Sequence, residues 1–445
     1  MKKLFCFMLA LFLVVCIGCD TIDNTSSIIA QLNDVVKETE TEASSEGTTT
    51  ERVEEGASSS VVSSEPVPSS QSPSSSSQVE IINEPVKESE IVVVKPEPVV
   101  IKGEKPMSYS YITDEQKRIY EILKVAIRDM KDDHIDLQIK YSEEKKAKVT
   151  NDINVAFRAV SFDNPEYFWM PAGYALMNND KKFFVKFKYT DKNGKQYDFP
   201  FSKSDRDTMK KQLDQKVNEL LSKVKDKDSF ETEVYLHDYL CENIVYTLTE
   251  KDDMIYTAYG ALVNGKAVCE GYSRAMQLLC DKLEIPCGLV YGWSQGIGHM
   301  WNLINPGDGW YHLDVTWDDD DENGIISHRY LNTTRYSMTH NDGHIIAEDY
   351  KQDTLYEDLD VYNFLNTECS NTALNYFERR GYVINKCDES EKPLINNLAS
   401  GGAKFFEVKN NSIETMQSVV SFIAGTLSKP VSYYESYDIV TIVLQ

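Results

Sequence analysis

The sequence predicts an α+β protein in which a helix packs on an antiparallel sheet, with a small α/β domain on either side and a disordered N-terminal stalk. Three observations predict this. A glycine-containing turn, "NGK", leads into an amphipathic helix that begins near Cys269. A strand, "CGLVYGW", and a hairpin, "HMWNLINPGDGWYHLDVTW", follow that helix directly. A long polar segment without helical or strand periodicity precedes all the predicted elements.

Length and charge limit the classes of function. A chain of 445 residues exceeds what one compact core usually holds, so about two or three domains are expected. The 71 acidic residues outnumber the 46 basic ones, which gives a formal net charge of -25. Because phosphate binding needs a basic field, no nucleic acid is expected among the partners.

Residues 1–19 have the layout of a secretory signal. Two lysines precede an apolar run of about fifteen residues, which is too short to span a membrane as a helix. The run ends in "VCIGC", which resembles a bacterial lipobox, although Cys16 stands where Leu is usual. The resemblance implies that Cys19 carries a lipid and becomes the first residue of the mature protein. An ordinary cleaved signal peptide is the alternative.

Residues 20–106 are predicted to form a disordered stalk rich in Ser, Pro and Glu. A stretch such as "SSEPVPSSQSPSSSSQ" cannot bury enough apolar surface to offset the entropy that is lost on ordering. Proline stiffens such a segment, and acidic residues extend it. The stretch "EIVVVKPEPVVIK" could pair as an edge strand, but it is assigned to the stalk.

Residues 107–225 are predicted to form an N-terminal α/β domain. Thr113 and Gln116 have the spacing of a capping box at the start of a helix with helical apolar spacing. A strand in "IDLQI", a second helix, a hairpin turning at Asn193-Gly194 and a polar helix follow. No cluster of reactive residue types lies here, so its aromatic residues are expected to pack in the core or line a groove.

Residues 226–345 are predicted to form the central domain. "FETEVYLHDYLCENIVY" has helical spacing, and His237 on it is expected to be a structural histidine. The next helix begins at about Cys269 and ends before Pro286. The strand "CGLVYGW" and a hairpin that turns at "NPGDG" complete the domain.

Cys269 occupies a position that suits a reactive thiolate. The free N–H groups and the positive dipole end at a helix N-terminus lower the pKa of a thiol. The same N–H groups can donate hydrogen bonds to an oxyanion. Most buried cysteines are inert packing residues, and Cys280 and Cys287 are expected to be of that kind.

The hairpin can supply a base for this thiol. His299 opens its first strand and Asp314 lies on its second, so antiparallel pairing can place them side by side. Asp314 is expected to accept the Nδ1–H of His299 and to fix the tautomer of the imidazole. Trp301 shares the face of His299 by the two-residue period and is expected to shield the ion pair from water.

Three segments closely resemble the core of the transglutaminase-like superfamily: "GKAVCEGYSRAMQLLCDKLEIPCGLVYGW", "GHMWNLI" and "GWYHLDVTWDD". The resemblance covers roughly residues 230–340 and implies a papain-like architecture with a Cys-His-Asp triad. The triad positions in this sequence are Cys269, His299 and Asp314. The superfamily includes peptidases, amidases, cross-linking transferases and inactive members, so the resemblance does not choose a substrate.

The resemblance also implies a side-chain donor for the oxyanion, besides the N–H of the nucleophile. No Gln or Trp stands just upstream of Cys269. Tyr259 and Tyr256 are the available donors, and Trp301 is a further residue that could line the substrate groove.

No metal or other cofactor is expected. His299, His312 and Asp314 could be imagined as zinc ligands, but no HExxH-like or CxxC spacing supports them. The run "DDDDEN" of residues 318–323 lacks the alternating oxygens of a calcium loop. A solvated hairpin tip is expected there instead.

Residues 346–445 are predicted to form a small C-terminal α/β domain. Helix and strand patterns alternate in "TALNYFERRGYVI", "AKFFEVK", "SIETMQSVVSFIAGTLS" and "VSYYESYDIVTIVLQ". The domain has no catalytic cluster, so it is expected to pack on the core or to bind a partner. Cys369 and Cys387 could form a disulfide in an oxidising envelope, although no spacing rule requires it.

Together these features predict an extracytoplasmic enzyme that is lipid-anchored to the bacterial cell membrane. Its expected substrates are proteins or peptides, including peptides of the cell envelope. A thioester forms at Cys269 and passes to water, as in a peptidase or amidase, or to an amine, as in an acyl transferase. The alternative is a non-catalytic cell-surface binding module that keeps the fold and uses its groove only to hold a ligand.

Overall fold

The structure is a computed structural model that describes residues 78–81, 86–97, 99, 108–131, 133–190, 196–197, 201–248, 253–320, 324–341, 343–346, 366–400 and 402–444. The predicted signal, the lipidation site Cys19, most of the stalk and the Asn193-Gly194 turn lie outside the described residues. Within them, no helix is both long enough and apolar enough to cross a membrane.

A six-stranded sheet and three helices form the N-terminal part of the described chain. Its strands are β1 (Gln78–Ile81), β2 (Ile91–Val92), β3 (His134–Lys140), β4 (Gly173–Asn178), β5 (Lys182–Thr190) and β6 (Gln196–Tyr197). The helices are α1 (Asp114–Arg128), α2 (Lys146–Asp163) and α3 (Lys203–Val224). The strand order is β1-β4-β5-β3-β2, and β6 pairs with β5.

The helix start predicted at Thr113 is confirmed. The Thr113 side chain accepts a hydrogen bond from the backbone N–H of Gln116, and the Gln116 side chain accepts one from the N–H of Thr113. Ile122 and Leu123 of α1 are fully buried. The apolar spacing therefore identified the face of α1 that packs in the core.

Two segments that the sequence analysis assigned to the stalk belong to this sheet. β1 pairs in parallel with β4, and β2 pairs in parallel with β3. Val94, just after β2, lies in the main core, and its carbonyl accepts a hydrogen bond of 2.9 Å from the side chain of Gln138. The prediction of a stalk as far as residue 106 is therefore wrong for these segments. Their few apolar residues stand among Pro and Glu, so the composition resembles disorder although an edge strand needs only one buried face.

The central part of the chain is built around an antiparallel sheet. Its elements are α4 (Ser229–Asn243), β7 (Val245–Tyr246), β8 (Lys266–Ala267), α5 (Cys269–Lys282), β9 (Cys287–Ser294), β10 (Ile297–Ile304), β11 (Tyr311–Leu313), α6 (Val315–Asp318), β12 (Asp319–Asp320), β13 (Ile325–Ile326), α7 (Arg335–Asn341) and β14 (His344–Ile346). The strand order is β11-β10-β9-β14, and α5 packs on β9 and β10. The predicted helix on an antiparallel sheet is confirmed.

The N-terminal and central parts share one hydrophobic core. A single cluster of buried apolar side chains includes residues of α1, α2, α5 and β11. Polar contacts cross the same boundary, because Arg274 on α5 donates to the carbonyl of Ser161 and Gln277 donates to that of Phe162. The boundary predicted at residue 225 therefore does not separate two cores.

The C-terminal part has a small core of its own. Its elements are α8 (Tyr376–Arg380), β15 (Val383–Ile384), α9 (Lys392–Leu398), β16 (Phe405–Asn410), α10 (Met416–Leu427), β17 (Ser432–Ser436) and β18 (Ile439–Val443). The strand order is β15-β16-β18-β17, and a separate apolar cluster fills this unit. Cys369 and Cys387 are free thiols, so the disulfide that the sequence left open is not formed.

Candidate active site

Cys269 is the first residue of α5. The residue before it, Val268, is the N-cap and has an extended backbone, with no side-chain capping hydrogen bond. No capping side chain therefore competes for the first N–H groups of the helix. Cys269 is buried, with 1% of its surface exposed.

Close backbone packing fixes the start of α5. A Cβ atom on Gly271 would lie 2.4 Å from the carbonyl oxygen of Ile255 and 2.8 Å from the Cβ of Ala267. The N–H of Val268 donates to the same carbonyl of Ile255 at 3.0 Å. Only glycine allows the first turn of α5 to approach the 3-10 helix Asp253–Tyr256 so closely.

Two polar side chains join α5 to β10, the strand that carries His299. The hydroxyl of Ser273 lies 2.8 Å from the carbonyl oxygen of Cys269 and 3.0 Å from that of Met300. The side-chain amide of Asn302 donates to the carbonyl of Ser273 at 3.0 Å. These contacts lie next to His299 in the chain, and they hold its strand against the helix that begins at Cys269.

His299 and Asp314 form a direct pair. Oδ2 of Asp314 lies 2.6 Å from Nε2 of His299, and both residues are buried. The sequence predicts Nδ1 in this contact. The difference arises because Asp314 does not lie on β11 but follows it as the N-cap of α6. Its carboxylate meets Nε2 of the imidazole, which leaves Nδ1 as the nitrogen that can contact Cys269, and a hydrogen bond with Cys269 helps to raise the pKa of His299.

The two oxygens of Asp314 have different partners. Oδ1 accepts hydrogen bonds from the backbone N–H groups of Thr316 at 3.1 Å and Trp317 at 3.2 Å, which caps α6. Oδ2 faces His299 and also lies 3.1 Å from Nε2 of His344. One carboxylate thus holds a helix start and two imidazoles at once.

His344 is a fourth member of the site, and sequence reasoning missed it. It is fully buried at the start of β14, which pairs with β9 opposite Ser294. His344 lies 30 residues after Asp314, and no motif spacing connects the two. The available signal was the stretch "GHII", in which a glycine and a histidine open a short apolar strand.

Aromatic rings surround the two histidines. The ring of His299 stacks on Trp301 with centroids 5.7 Å apart and meets Trp317 edge-on at 6.3 Å. His344 contacts the rings of Trp301, Trp317 and Tyr330. Trp301 therefore lies over the imidazole as the two-residue period predicts, and these rings replace water beside the pair.

The charges in the site follow from burial and from these contacts. Burial lowers the pKa of His299, but the charge and hydrogen bond of Asp314 and the contact with Cys269 outweigh burial and raise that pKa to about 10. Burial raises the pKa of Asp314, yet its charge contact with His299 and its hydrogen bonds from His299 and His344 hold it below the usual range. Burial lowers the pKa of His344. A charged His299 thus faces an ionised Asp314, while a neutral His344 donates its Nε2–H.

The structure gives other partners to Tyr259, an expected oxyanion donor, and to Trp301, which was expected to line the substrate groove. The hydroxyl of Tyr259 donates to Oε1 of Gln212 at 2.7 Å. Nε1 of Trp301 donates to Nδ1 of His312 at 2.9 Å. Each group has a single donor proton, so neither proton is left for an oxyanion. Tyr256 ends the 3-10 helix beside α5 and is half-buried, and its role stays a prediction.

The zinc set imagined from the sequence does not form. Nε2 of His312 faces the carbonyl of Thr367 at 3.0 Å, and its Nδ1 is taken by Trp301. At this site the ligand atoms that do lie close together are those of His299, Asp314 and His344. That group suits acid–base chemistry, because one imidazole is charged and Asp314 Oδ2 binds both rings.

The acidic run after the site is partly internal. Asp318 is fully buried and accepts a hydrogen bond from the N–H of Tyr330 at 3.1 Å. Residues 319–320 pair with residues 325–326 as the hairpin of β12 and β13. The expectation of a solvated tip is therefore wrong for Asp318, because a buried backbone N–H needs its carboxylate.

Comparison with known proteins gives a family-model match over the segment that carries the site. The family model described as "Transglutaminase-like superfamily" matches residues 215–315, which contain Cys269, His299 and Asp314. The chain is similar to a solved TGase structure at 13% identity and a TM-score of 0.23, over 41% of this chain and 50% of that one. It is also similar to a candidate cysteine protease from Cytophaga hutchinsonii at 14% identity and a TM-score of 0.21, over 33% and 54%. The chain thus spans about half the length of each. No curated protein matches it.

Proposed function

We propose that this chain, whose residues 215–315 belong to the transglutaminase-like superfamily, is a thiol-dependent enzyme that acts on amide bonds of proteins or peptides. One observation carries the proposal. Cys269 begins a helix and shares a hydrogen bond with His299, and Asp314 holds the other end of that imidazole at 2.6 Å. A thiol, a histidine and a carboxylate in this order are the parts that acyl transfer needs.

The first half-reaction forms a thioester. The thiolate of Cys269 attacks the carbonyl carbon, a C–S bond forms, and the carbonyl electron pair moves onto oxygen. The tetrahedral intermediate then breaks its C–N bond, and His299 gives its proton from Nδ1 to the leaving amine. Asp314 orients the ring and stabilises its charge before that transfer. The N–H groups at the start of α5 are the donors proposed for the oxyanion.

The second half-reaction releases the acyl group. Neutral His299 takes a proton through Nδ1 from water or from an acceptor amine, which attacks the thioester carbon. The C–S bond breaks and the thiolate of Cys269 leaves with the bonding electrons. Water gives hydrolysis, and an amine gives transfer. Both acceptors remain within the proposal.

The proposed location is extracytoplasmic, with Cys19 lipidated and anchored in the bacterial cell membrane. The "VCIGC" ending of the apolar run supports this proposal. Two acyl chains give stable anchoring, whereas one alone is marginal. Changing Cys19 to Ser should release the protein into the medium with its head folded. Full membrane retention of that variant would exclude the lipid anchor.

Product masses test the activity. The full chain is incubated with cell-envelope extracts, with and without an added amine, and new masses are read for loss or gain of an amide bond. Cys269→Ala should form no acyl-enzyme. Asp314→Asn should lose activity by orders of magnitude, since an amide has one acceptor oxygen and cannot both cap α6 and accept from His299. In an unrelated serine protease, the corresponding change of the triad Asp to Asn lowers kcat by about 10⁴-fold.

The second candidate function is a binding module that keeps the fold without turnover. The burial of Cys269, with 1% of its surface exposed, favours it, because an incoming carbonyl needs access to the sulfur. The binding module would be supported over the enzyme if the protein retains an envelope peptide whose mass does not change, and if Cys269→Ala retains that peptide equally well.

A further inference from the structure

A second group of histidines and carboxylates lies outside the active site. His237 and Asp238 are neighbours on α4, and His328 lies between β13 and α7. Oδ1 of Asp238 lies 2.9 Å from Nδ1 of His237 and 3.0 Å from Nε2 of His328. One ligand atom from each of the three residues lies within 4.8 Å of the other two. Three potential metal ligands from two segments of the chain therefore converge on one point.

Each of these histidines is backed by a buried carboxylate on its other ring nitrogen. Nε2 of His237 lies 3.2 Å from Oδ2 of Asp318, which is fully buried. Nδ1 of His328 lies 3.3 Å from Oε2 of Glu407, which is also buried. Histidines that bind metals characteristically donate their second ring nitrogen to a carboxylate, which fixes the tautomer and strengthens the ligand. Both histidines here have that partner, on the side away from Asp238.

The group is rigid but reachable from solvent. The His237 side chain is fully buried, whereas 35% of the Asp238 side chain and 13% of the His328 side chain are exposed. The ring of Tyr376 stacks on His328 with centroids 3.9 Å apart and holds its plane. A metal ion could enter from the exposed side of Asp238 and keep a water molecule as a ligand on that side.

We propose that Nδ1 of His237, Nε2 of His328 and the carboxylate of Asp238 bind one divalent transition-metal ion of the zinc type. Two imidazole nitrogens and one carboxylate oxygen match the preference of Zn²⁺, with a fourth position for water. Bonds of about 2.0–2.2 Å to a tetrahedral ion place ligand atoms about 3.3 Å apart. The present 2.9 and 3.0 Å separations reach that value when Asp238 shifts by a few tenths of an ångström. The two imidazole nitrogens lie within 4.8 Å of each other, and a shift of the rings must supply the rest of the adjustment.

The charge of the cluster favours a cation. Asp238, Asp318 and Glu407 bring three carboxylates to two imidazoles. A divalent ion that replaces one proton on each imidazole balances two of those negative charges without a further side chain. Buried carboxylates require such partners, because an uncompensated charge away from water is costly.

The ion would join three parts of the molecule. Its ligands come from α4 and from the segment before α7, and Glu407 behind His328 belongs to β16 of the C-terminal unit. Asp318 behind His237 ends α6, the short helix that Asp314 caps at its other end. The site is therefore placed to hold α6 and the C-terminal unit against the central part.

Metal content tests the site on the full chain without a histidine tag. The chelator-treated protein is dialysed against Zn²⁺, and bound zinc is counted per chain. Co²⁺ is added separately as a spectroscopic probe. One zinc per chain and a Co²⁺ ligand-field band are expected, and at about 100-fold excess over Kd the Tm should rise by roughly 3–5 °C. His328→Gln and Asp238→Asn should weaken binding by at least about 100-fold, and Glu407→Gln by about 10–100-fold.

Matched variants separate this site from the active site. His344→Gln, in the other histidine and carboxylate group, should bind zinc as the wild type does, and one equivalent of zinc should not slow alkylation of Cys269. Circular dichroism of the metal-free proteins checks that each variant is folded. The proposal is overturned if no zinc binds, if His328→Gln and Asp238→Asn bind it as the wild type does, or if His344→Gln alone abolishes binding.

Discussion

At the scale of single residues, His299 sets the reactivity that Cys269 should show. Its pKa is raised to about 10, with Asp314 and Cys269 outweighing the effect of burial, so the imidazolium persists below that pH and is lost above it. In the wild type this imidazolium should stabilise the thiolate of Cys269 and speed its alkylation below the pKa of His299. In His299→Ala the imidazolium is absent, so alkylation of Cys269 at neutral pH should slow by about tenfold or more.

Mass spectrometry measures the alkylation rate of Cys269 as a function of pH. The reagent is a small one such as iodoacetamide, because the thiol is buried. Cys241 is the internal control, because burial raises its pKa to about 11 and it should lag throughout. Identical profiles for wild type and His299→Ala, with a midpoint near ~8.5, would mean that no ion pair exists and would favour the binding module.

His344 should tune the pair from behind Asp314. Its Nε2–H takes part of the charge of Oδ2, and its hydrogen bond helps to lower the pKa of Asp314. His344→Phe removes this donor, so Oδ2 of Asp314 keeps more negative charge for its hydrogen bond with His299. The pKa of His299 should therefore rise further. The alkaline limb of the alkylation profile, which is the high-pH part where His299 loses its proton, should move to higher pH. Turnover should fall about tenfold or more, since a hydrogen bond to a charged group contributes ~1.5–3 kcal/mol.

Rescue by glutamine separates positioning from packing. His344→Gln supplies an N–H near the position of Nε2, whereas His344→Phe keeps the aromatic contacts and loses the donor. The alkaline limb should return toward the wild type in the glutamine variant only. If both variants shift it equally, or neither does, His344 has only a packing role.

The sequence could predict the residue types of this site but not all of its contacts. Cys269 was recognisable because it begins a helix after a glycine turn, and His299 because it lies at the start of the strand pattern "HMWNLI". The nitrogen that faces Asp314 was not predictable, because it depends on Asp314 capping α6 rather than continuing β11. His344 reaches the site only through the pairing of β14 with β9, which no local pattern encodes.

At the scale of elements, Gly292 allows three strands to meet at the site. It pairs with His299 on β10 and with Ile346 on β14. A Cβ atom there would lie 2.1 Å from the carbonyl oxygen of Ile345 and 2.7 Å from a ring carbon of Trp301. Gly292→Ala should therefore displace β14 or Trp301, at a cost of about 1–3 kcal/mol in unfolding free energy.

Chemical denaturation of Gly292→Ala measures this cost, and alkylation of Cys269 reports the effect on the site. Gly425→Ala is the matched control. It lies inside α10, nothing lies within 4 Å of its added Cβ, and alanine should stabilise that helix by up to ~1 kcal/mol. Unchanged stability of Gly292→Ala would show that the strands tolerate a wider spacing than the structure has.

Elements with a local signal were predictable, and those defined by distant pairing were not. The capping box at Thr113 fixed the start of α1, and the run from β9 to β11 followed from strand and turn patterns. β1 and β2 were missed because each is short and acquires its role only from β4 or β3, far along the chain. The register of these edge strands is a property of the sheet rather than of their own composition.

At the scale of the whole molecule, the shared core means that the N-terminal part supports the active site. The cluster that buries α1 and α2 continues into α5, so no apolar boundary isolates the helix of Cys269. The sequence suggested two domains here, because composition and periodicity describe elements but not which faces meet. Loss of packing in the N-terminal sheet should therefore also change the reactivity of Cys269.

Truncation tests this directly and corrects the stalk boundary. A chain that begins at Gln78 keeps β1 and β2, whereas one that begins at Met107 loses both strands and the buried side chains of Val86 and Val94. Burying a valine contributes ~1.5–3 kcal/mol, so the shorter chain should lose about 3–6 kcal/mol, on the order of 10 °C in Tm. It also leaves β4 and β3 as open edges, which favours aggregation.

Thermal unfolding, followed by circular dichroism, should give the chain that begins at Gln78 the same Tm as the full chain. Equal Tm values for both truncations would restore the stalk boundary at residue 106, because two paired strands and two buried valines cannot be removed without cost.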